Sequence, residues 1–301
     1  FPIYWFDQNS AFGTKAELKT LILGFKTNNV NTIADVVINH RSGVSNWTNF
    51  PTETYNGVTY SMGPAQICSD DEVKDAAGQA KPTGAPDTGE GFSGSRDLDH
   101  ISTVVRDAVK GYMQFLKNEM GYAGWRYDFT KGYSAGYVNE YNTAAAGYFS
   151  VGEYFDGNYD LVKGWINGCS NNSTSFDFPL KFKLNAAMWN GGMDLTQLVW
   201  LADGTTQQPA GLIHHSSTKR YAVTFVDNHD TYRDANKFTG NVLAANAFIL
   251  CSPGVPSIFL RHWIDHKAQL KPMIAARKAA RIHSGSQVSV LQRAAGSYVA
   301  E

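Results

Sequence analysis

The sequence predicts an α/β fold in which parallel strands alternate with helices. Three observations predict it. Short, nearly continuous apolar runs recur along the 301 residues, as in strands buried on both faces of a parallel sheet. Segments with apolar residues at helical spacing lie between them. Alternation of the two implies βαβ units.

Taken in order, Thr14 to Asn28 carries Leu18, Leu21, Ile22 and Phe25 at helical spacing, with Thr14 as N-cap and Glu17 completing a capping box. Asn31 to Asn39 reads as the first strand. Ser42 to Arg96 is Gly/Pro/Asp-rich and weakly periodic. It is too long for a structureless loop and predicts a small inserted subdomain. Val104 to Glu119 repeats the helical pattern and Tyr122 to Phe129 the strand pattern. Phe149 to Phe155, Ser175 to Leu180, Tyr221 to Asp227 and Val255 to Leu260 are further predicted strands, with a helix at Asn241 to Leu250. From about Ser284 the tail reads as β segments, Gln287 to Gln292 and Ser297 to the end.

Composition narrows the function classes. The length fits two domains or one α/β barrel. With 26 basic and 27 acidic side chains the net charge is −1, which gives no electrostatic case for nucleic acid or an anionic membrane as partner. Aromatic residues make up 13% of the chain, so it does not read as disordered. Cys68, Cys169 and Cys251 are too few for a disulfide framework, and no CxxC suggests a thiolate zinc site. No apolar run reaches membrane-spanning length. The start at Phe1-Pro2 has no methionine, which implies a removed leader or a start inside a longer protein.

Polar residues gather at the ends of the strand segments: Asn39-His40, Arg126 with Asp128, Glu153, and Asp227-Asn228-His229-Asp230. Singly, each has a structural reading: Asp128 and Asp230 as helix caps, Arg126 as partner of a buried carboxylate. Four strands ending alike favour a site, since catalytic groups collect at that edge of a parallel barrel. Arg126 and Asp128 share a strand face, which keeps Asp128 ionised. Glu153 lies among Val151, Tyr154 and Phe155, where desolvation would keep it protonated. An ionised nucleophile beside a protonated acid is the apparatus of retaining glycoside hydrolysis.

Four segments resemble, in order, the characteristic regions of the α-amylase family (glycoside hydrolase family 13), in its short B-domain branch. They are Asp35-Val-Val-Ile-Asn-His40, Gly124-Trp-Arg-Tyr-Asp128, Val151-Gly-Glu153-Tyr and Phe225-Val-Asp-Asn-His-Asp230. The resemblance implies a TIM-type (β/α)8 barrel with an inserted B domain and the start of an antiparallel C-terminal β domain. Phe1 aligns after the family's second strand, so the first two strands are expected to be absent from this chain. The implied division is barrel at 1–41, B domain at 42–96, barrel at 97–283 and C-terminal domain from 284 to 301.

The resemblance also implies roles. Asp128 would be the nucleophile, Glu153 the general acid/base and Asp230 the third carboxylate. Arg126 would orient Asp128, His40 and His229 would bond the glucose at the cleavage point, and Lys131 would contact the leaving-group sugar. Calcium would be held by Asn39, Asp87 and Asp97 and by the carbonyls of Glu90 and Gly132, as suits a cation that takes six to eight oxygen ligands. The implied reaction is endo-hydrolysis of α-1,4 bonds in starch or maltooligosaccharides by a secreted monomer, extracellular or periplasmic. Transglycosylation, another α-glucosidase activity, or glucan binding by an incomplete barrel are the alternatives.

Other features carry less. Phe155, Trp263 and Trp47 are candidates to stack on glucose, with core packing the alternative for each. His262 and His266 are four apart, as zinc ligands can be, but the structural or stacking reading is preferred. His214-His215 reads as loop, and Ser69-Asp70-Asp71-Glu72 as a solvated turn. Asn46-Trp-Thr48 and Asn172-Ser-Thr174 are glycosylation sequons.

Overall fold

The computed structural model describes residues 2–202 and 206–301. Its contacts divide the chain into two compact units, Phe1–Glu153 with Gly168–Ser173, and Tyr154–Asn167 with Thr174–Glu301.

The first unit is built on three parallel strands, β1 (Ile33–Val36), β2 (Gly124–Tyr127) and β3 (Phe149–Gly152). In register, Asp35 of β1 faces Arg126 of β2, which faces Val151 of β3. Every residue of β2 is buried, as its apolar run predicts. Helix Thr103–Phe115 covers the strands with Val105, Val109 and Met113, each 0% exposed. A helix at Ala135–Ala144, which the apolar pattern left unmarked, links β2 to β3.

Helix Lys15–Thr27 forms with the expected capping box, Thr14 and Glu17 each bonding the other's backbone. Its apolar face behaves differently from expectation. Ile22 is 3% exposed, but Leu21, Leu23 and Phe25 stand 56%, 59% and 43% exposed. The helix sets the spacing, but only a neighbouring element can cover the face.

Within the insert, Glu53–Tyr55 and Val58–Tyr60 form a hairpin. Asn56 and Gly57 turn it with φ of 49° and 76°, the left-handed pair that a two-residue Asn-Gly turn requires. A buried ion pair, Arg41 to Glu53 at 2.6 Å, ties the hairpin to the residue after His40. The acidic run at 69–72 is the expected solvated turn at Asp70 and Glu72, which are exposed, but not at Asp71. Asp71 is 1% exposed and bonds Arg96 at 2.6 Å and the Asp97 amide at 2.9 Å. The buried Arg96 guanidinium accounts for its burial. Trp47 lies against the same Arg96, 5.6 Å from ring centre to guanidinium.

The second unit has its own parallel strands, β4 (Thr174–Phe176), β5 (Ala222–Phe225) and β6 (Val255–Ser257), with β5 paired to both. All three strands end sooner than predicted. Residues 178–180 begin helix Phe178–Ala187, because Asp177 caps it and Pro179 fits its first turn. Leu260 likewise opens helix Leu260–Ala279. Helices Tyr159–Gly168 and Val242–Cys251 complete the alternation, and the tail is a hairpin of Val290–Ala294 with Ser297–Ala300. All three cysteines are free thiols. Among the described residues no helix is long and apolar enough to cross a membrane.

Asp177 is 0% exposed and accepts the amides of Leu180 and Leu212. Burial raises its pKa to about 7, against the pull of those amides. The folded state therefore holds a proton that the unfolded chain releases near pH 4. This contribution to stability is full below that pH and lost as pH rises through about 7. Asp177→Asn keeps a capping oxygen. Its unfolding temperature is expected to fall less between pH 5 and pH 8 than that of the parent, measured by scanning calorimetry.

Candidate active site

The chemistry in the first unit centres on one guanidinium. Strand alternation puts Arg126 and Asp128 on one face, and the register lays Asp35 beside Arg126. Arg126 bonds Asp128 through Nη1 at 2.5 Å, Asp35 through Nη1 at 2.7 Å and Glu153 through Nη2 at 2.9 Å. It is 7% exposed. Burial works against its charge, but Glu153, Asp35 and Asp128 outweigh that and hold its pKa above the ordinary value. Pairing of Arg126 with Asp128 is what the strand spacing predicted. The link to Glu153 is new, and it sets a fixed positive charge against a carboxyl whose neighbours in sequence are apolar. Asp35 also escaped sequence reasoning as a partner, because only the parallel register brings it to Arg126.

Beyond Asp128 the chain turns sharply. Phe129 has φ 43°, a left-handed conformation that is strained for a bulky residue and characteristic of functional turns. The turn aims the Phe129 amide at Glu153 Oε2, 3.2 Å away, and the Thr130 amide at the Glu153 carbonyl, 3.1 Å away. His40 is 3% exposed and stacks on Phe92 at 4.0 Å. Burial lowers its pKa to about 4 despite the nearby Asp128, so near neutral pH it is an uncharged imidazole that can donate one hydrogen bond and accept another. Lys131 bonds Glu90 at 2.7 Å.

The expected calcium ligands of this unit converge. Asn39 donates to Asp97 Oδ1 at 2.9 Å. A Cβ on Gly132 would lie 2.1 Å from Asn39 Oδ1, so only glycine lets this backbone approach so closely. The Glu90 amide bonds the Lys131 carbonyl at 2.8 Å, which brings Glu90 alongside. Asp87 Oδ1 accepts the Thr88 and Gly89 amides, while its Oδ2 is buried with no hydrogen-bond partner. Burial, with Asp87, Glu72 and Asp71 adding to it, pushes Asp97 up to about 8. Carboxylate oxygens of Asp71, Glu72 and Asp97 lie within 4.8 Å of one another. An orphaned carboxylate oxygen beside a carboxylate cluster in which Arg96 pairs with Asp71 alone fits a hard divalent cation. Asp71 and Glu72 join this cluster although the sequence gave no reason to include them.

In the second unit, Asp227 to Asp230 follow β5. Asn228 Oδ1 accepts the amides of Asp230 and Thr231 at 3.0 and 2.8 Å. Asp230 pairs with Arg233 and, at 3.2 Å, with His229, whose side chain is 57% exposed. Phe155 packs on Phe178 and Phe182, with centroids 4.3 and 6.1 Å away, so the structure gives its ring the packing alternative. Trp263 is half-buried, with Lys267 5.7 Å from its ring. The paired-zinc alternative for His262 and His266 does not hold. The helix kinks at His266 (φ −129°), and His262 is buried against Asp227 at 3.5 Å. His214 closes a short 3-10 turn and is buried between Tyr159 and Trp200.

Two sets of parallel strands flanked by helices, with carboxylates after β2, β3 and β5, define a barrel-type α/β protein with its polar groups at the strand ends. No protein-family model matches the chain. It is 31% identical over 98% of its length to the probable alpha-amylase 2 of Arabidopsis thaliana and covers 72% of that protein. It is 28% identical to the same plant's chloroplastic alpha-amylase 3, of which it covers 32%. Against the glucan 1,4-alpha-maltotetraohydrolase of Stutzerimonas stutzeri it is 26% identical and covers 52%. Among solved structures, an alpha-amylase from Malbranchea cinnamomea superposes with a TM-score of 0.72 at 16% identity, covering all of this chain and 67% of that one. The alpha-amylase of Geobacillus thermoleovorans complexed with acarbose gives 0.68 at 15% identity, covering 99% and 68%. The structural matches establish the fold, a partial (β/α) barrel. The chain belongs to the α-amylase family.

Proposed function

We propose that this chain carries the active site of a retaining endo-hydrolase of α-1,4-glucosidic bonds in starch and maltooligosaccharides. One observation carries the reading: a single buried guanidinium touches both Asp128 and Glu153. Retaining enzymes need the two carboxyl groups about 5 Å apart, closer than inverting enzymes, and a shared guanidinium favours the short separation.

Asp128 attacks the anomeric carbon while Glu153 gives its proton to the departing glycosidic oxygen. Negative charge thereby leaves Asp128, now an ester, and appears on Glu153. Arg126 contacts both, so its charge stays compensated through the transfer. Glu153, now a carboxylate, takes a proton from the water that opens the ester. Asp230 and the neutral His40 bond sugar hydroxyls, with His229 at the exposed rim. Segment 42–96 acts as the inserted domain. Bound through Asn39, Asp87, Asp97 and the Glu90 and Gly132 carbonyls, calcium would supply the positive charge that this acidic cluster lacks and join the insert to the strand ends.

The test is incubation of the full-length protein with starch and with maltoheptaose. Release of reducing ends in the α-configuration, followed by NMR, is expected. Products longer than the substrate would move the reading to a transglycosylase, and glucan binding without cleavage to a binding protein. Chelation with EDTA is expected to lower the unfolding temperature and added Ca2+ to restore it, a stabilisation of about 2.7 kcal/mol at roughly 100 times the Kd. In Asp97→Asn the response to Ca2+ is expected to vanish.

A further inference from the structure

The second unit buries an ion pair that the proposed chemistry does not use. Lys181, in helix Phe178–Ala187, and Asp227, just after β5, both have fully buried side chains and meet at 3.0 Å. Isolated buried charges of this kind are expensive unless every donor and acceptor is engaged, and here they are engaged in one loop. Lys181 Nζ also donates to the Asn236 carbonyl and to Asn185 Oδ1, each at 2.8 Å. Asp227 Oδ1 accepts the Phe238 amide and the Thr231 hydroxyl, each at 3.1 Å. Thr231 Oγ1 in turn accepts the Asn228 amide at 3.0 Å, and Asn228 Oδ1 holds the Asp230 amide.

Both ends of the loop from Asp227 to Phe238 are therefore fastened to one buried ion pair, and Asp230 sits between the fastenings. From β6's side, His262 faces Asp227 Oδ2 at 3.5 Å. Burial would raise the Asp227 pKa, but His262 and Lys181 outweigh it and leave it lowered, so the carboxylate stays ionised to receive these donors.

We propose that Lys181 is a positioning residue: through Asp227 and Thr231 it fixes the loop that presents Asp230. This rests on the hydrolase reading for its catalytic consequence, but not for its structural content. A group that stabilises charge in the transition state must be placed in advance, and displacement by about 1 Å lowers the rate up to about 10²-fold.

Three variants of the full-length protein test it. Lys181→Met takes the lysine from the buried Asp227 and lowers folding stability as well. The double variant Lys181→Met with Asp227→Asn removes both charges, so that folding is retained. Thr231→Val removes only the hydroxyl link. In the double variant and in Thr231→Val, kcat on maltoheptaose is expected to fall roughly 10- to 100-fold with KM within about twofold, at temperatures well below unfolding. The Asp230 and Phe238 amides are expected to exchange faster with deuterium in the double variant. Unchanged kcat in both variants, or a loss that merely tracks the unfolded fraction, would overturn the proposal, as would unchanged amide protection. If the parent enzyme cleaves no glucan while the amides loosen, the fastening stands and the hydrolase reading fails.

Discussion

Asp128→Asn is expected to lower kcat on maltooligosaccharides by about 10⁴-fold or more, with little change in unfolding temperature. The amide keeps the size of the side chain but cannot form the glycosyl ester. Glu153→Gln is expected to lose about 10² to 10⁴-fold on the same substrates, the range for a lost general acid/base. The two are separated by α-maltosyl fluoride, whose leaving group needs no proton. Formation of the glycosyl-enzyme from it should proceed in Glu153→Gln and fail in Asp128→Asn. Steady-state and burst kinetics with both substrates give the comparison. Equal losses on fluoride and glucan in Glu153→Gln would contradict the assignment of acid and nucleophile.

Arg126→Met is expected to produce the largest combined effect. The guanidinium is the shared partner of Asp35, Asp128 and Glu153. The Asp35 side chain is 55% exposed, so water screens that pair and it contributes little. The Asp128 side chain is only 21% exposed, and losing its partner strands a charge that little water reaches. Removing one member of a buried pair costs about 3–5 kcal/mol, which lowers the unfolding temperature of the unit by roughly 6–20 °C. Activity should fall with Asp128→Asn-like severity if Asp128 is the nucleophile, since it loses the guanidinium that holds it. A poorly hydrated carboxylate that has lost its cation binds a proton at higher pH than an ordinary one. The stability gap between Arg126→Met and the parent should therefore narrow as pH falls from 7 to 4. A gap that is constant with pH, or absent, would show that the guanidinium is not compensating these charges.

What could be read without coordinates followed from local geometry. Alternation along a strand is fixed by the chain itself, so Arg126 and Asp128 had to share a face. A capping box is closed within four residues, so Thr14 and Glu17 announce a helix start. The unmarked Asn56-Gly57 turn belongs to this class: its left-handed pair is a signal available in the sequence. Helices at Ala135–Ala144 and Tyr159–Gly168 have weaker local signals, because Gly and Tyr interrupt their apolar spacing.

Which distant groups meet is set by long-range packing. Asp71 looked like part of a solvated acidic turn until Arg96, 25 residues on, buried beside it. Lys181 carries no local sign that it will be closed over by Asp227, 46 residues away. The apolar residues of helix Lys15–Thr27 had the spacing of a buried face, and most of that face is exposed. The strand-end carboxylates and the side of the strand they occupy are legible in the amino-acid order, because those depend on backbone geometry over two to four residues. The arginine shared between Asp128 and Glu153, the loop tied to Lys181 and the burial of Asp71 depend on strand register and loop closure. Side-chain spacing along the chain does not encode either, so the fold had to supply them.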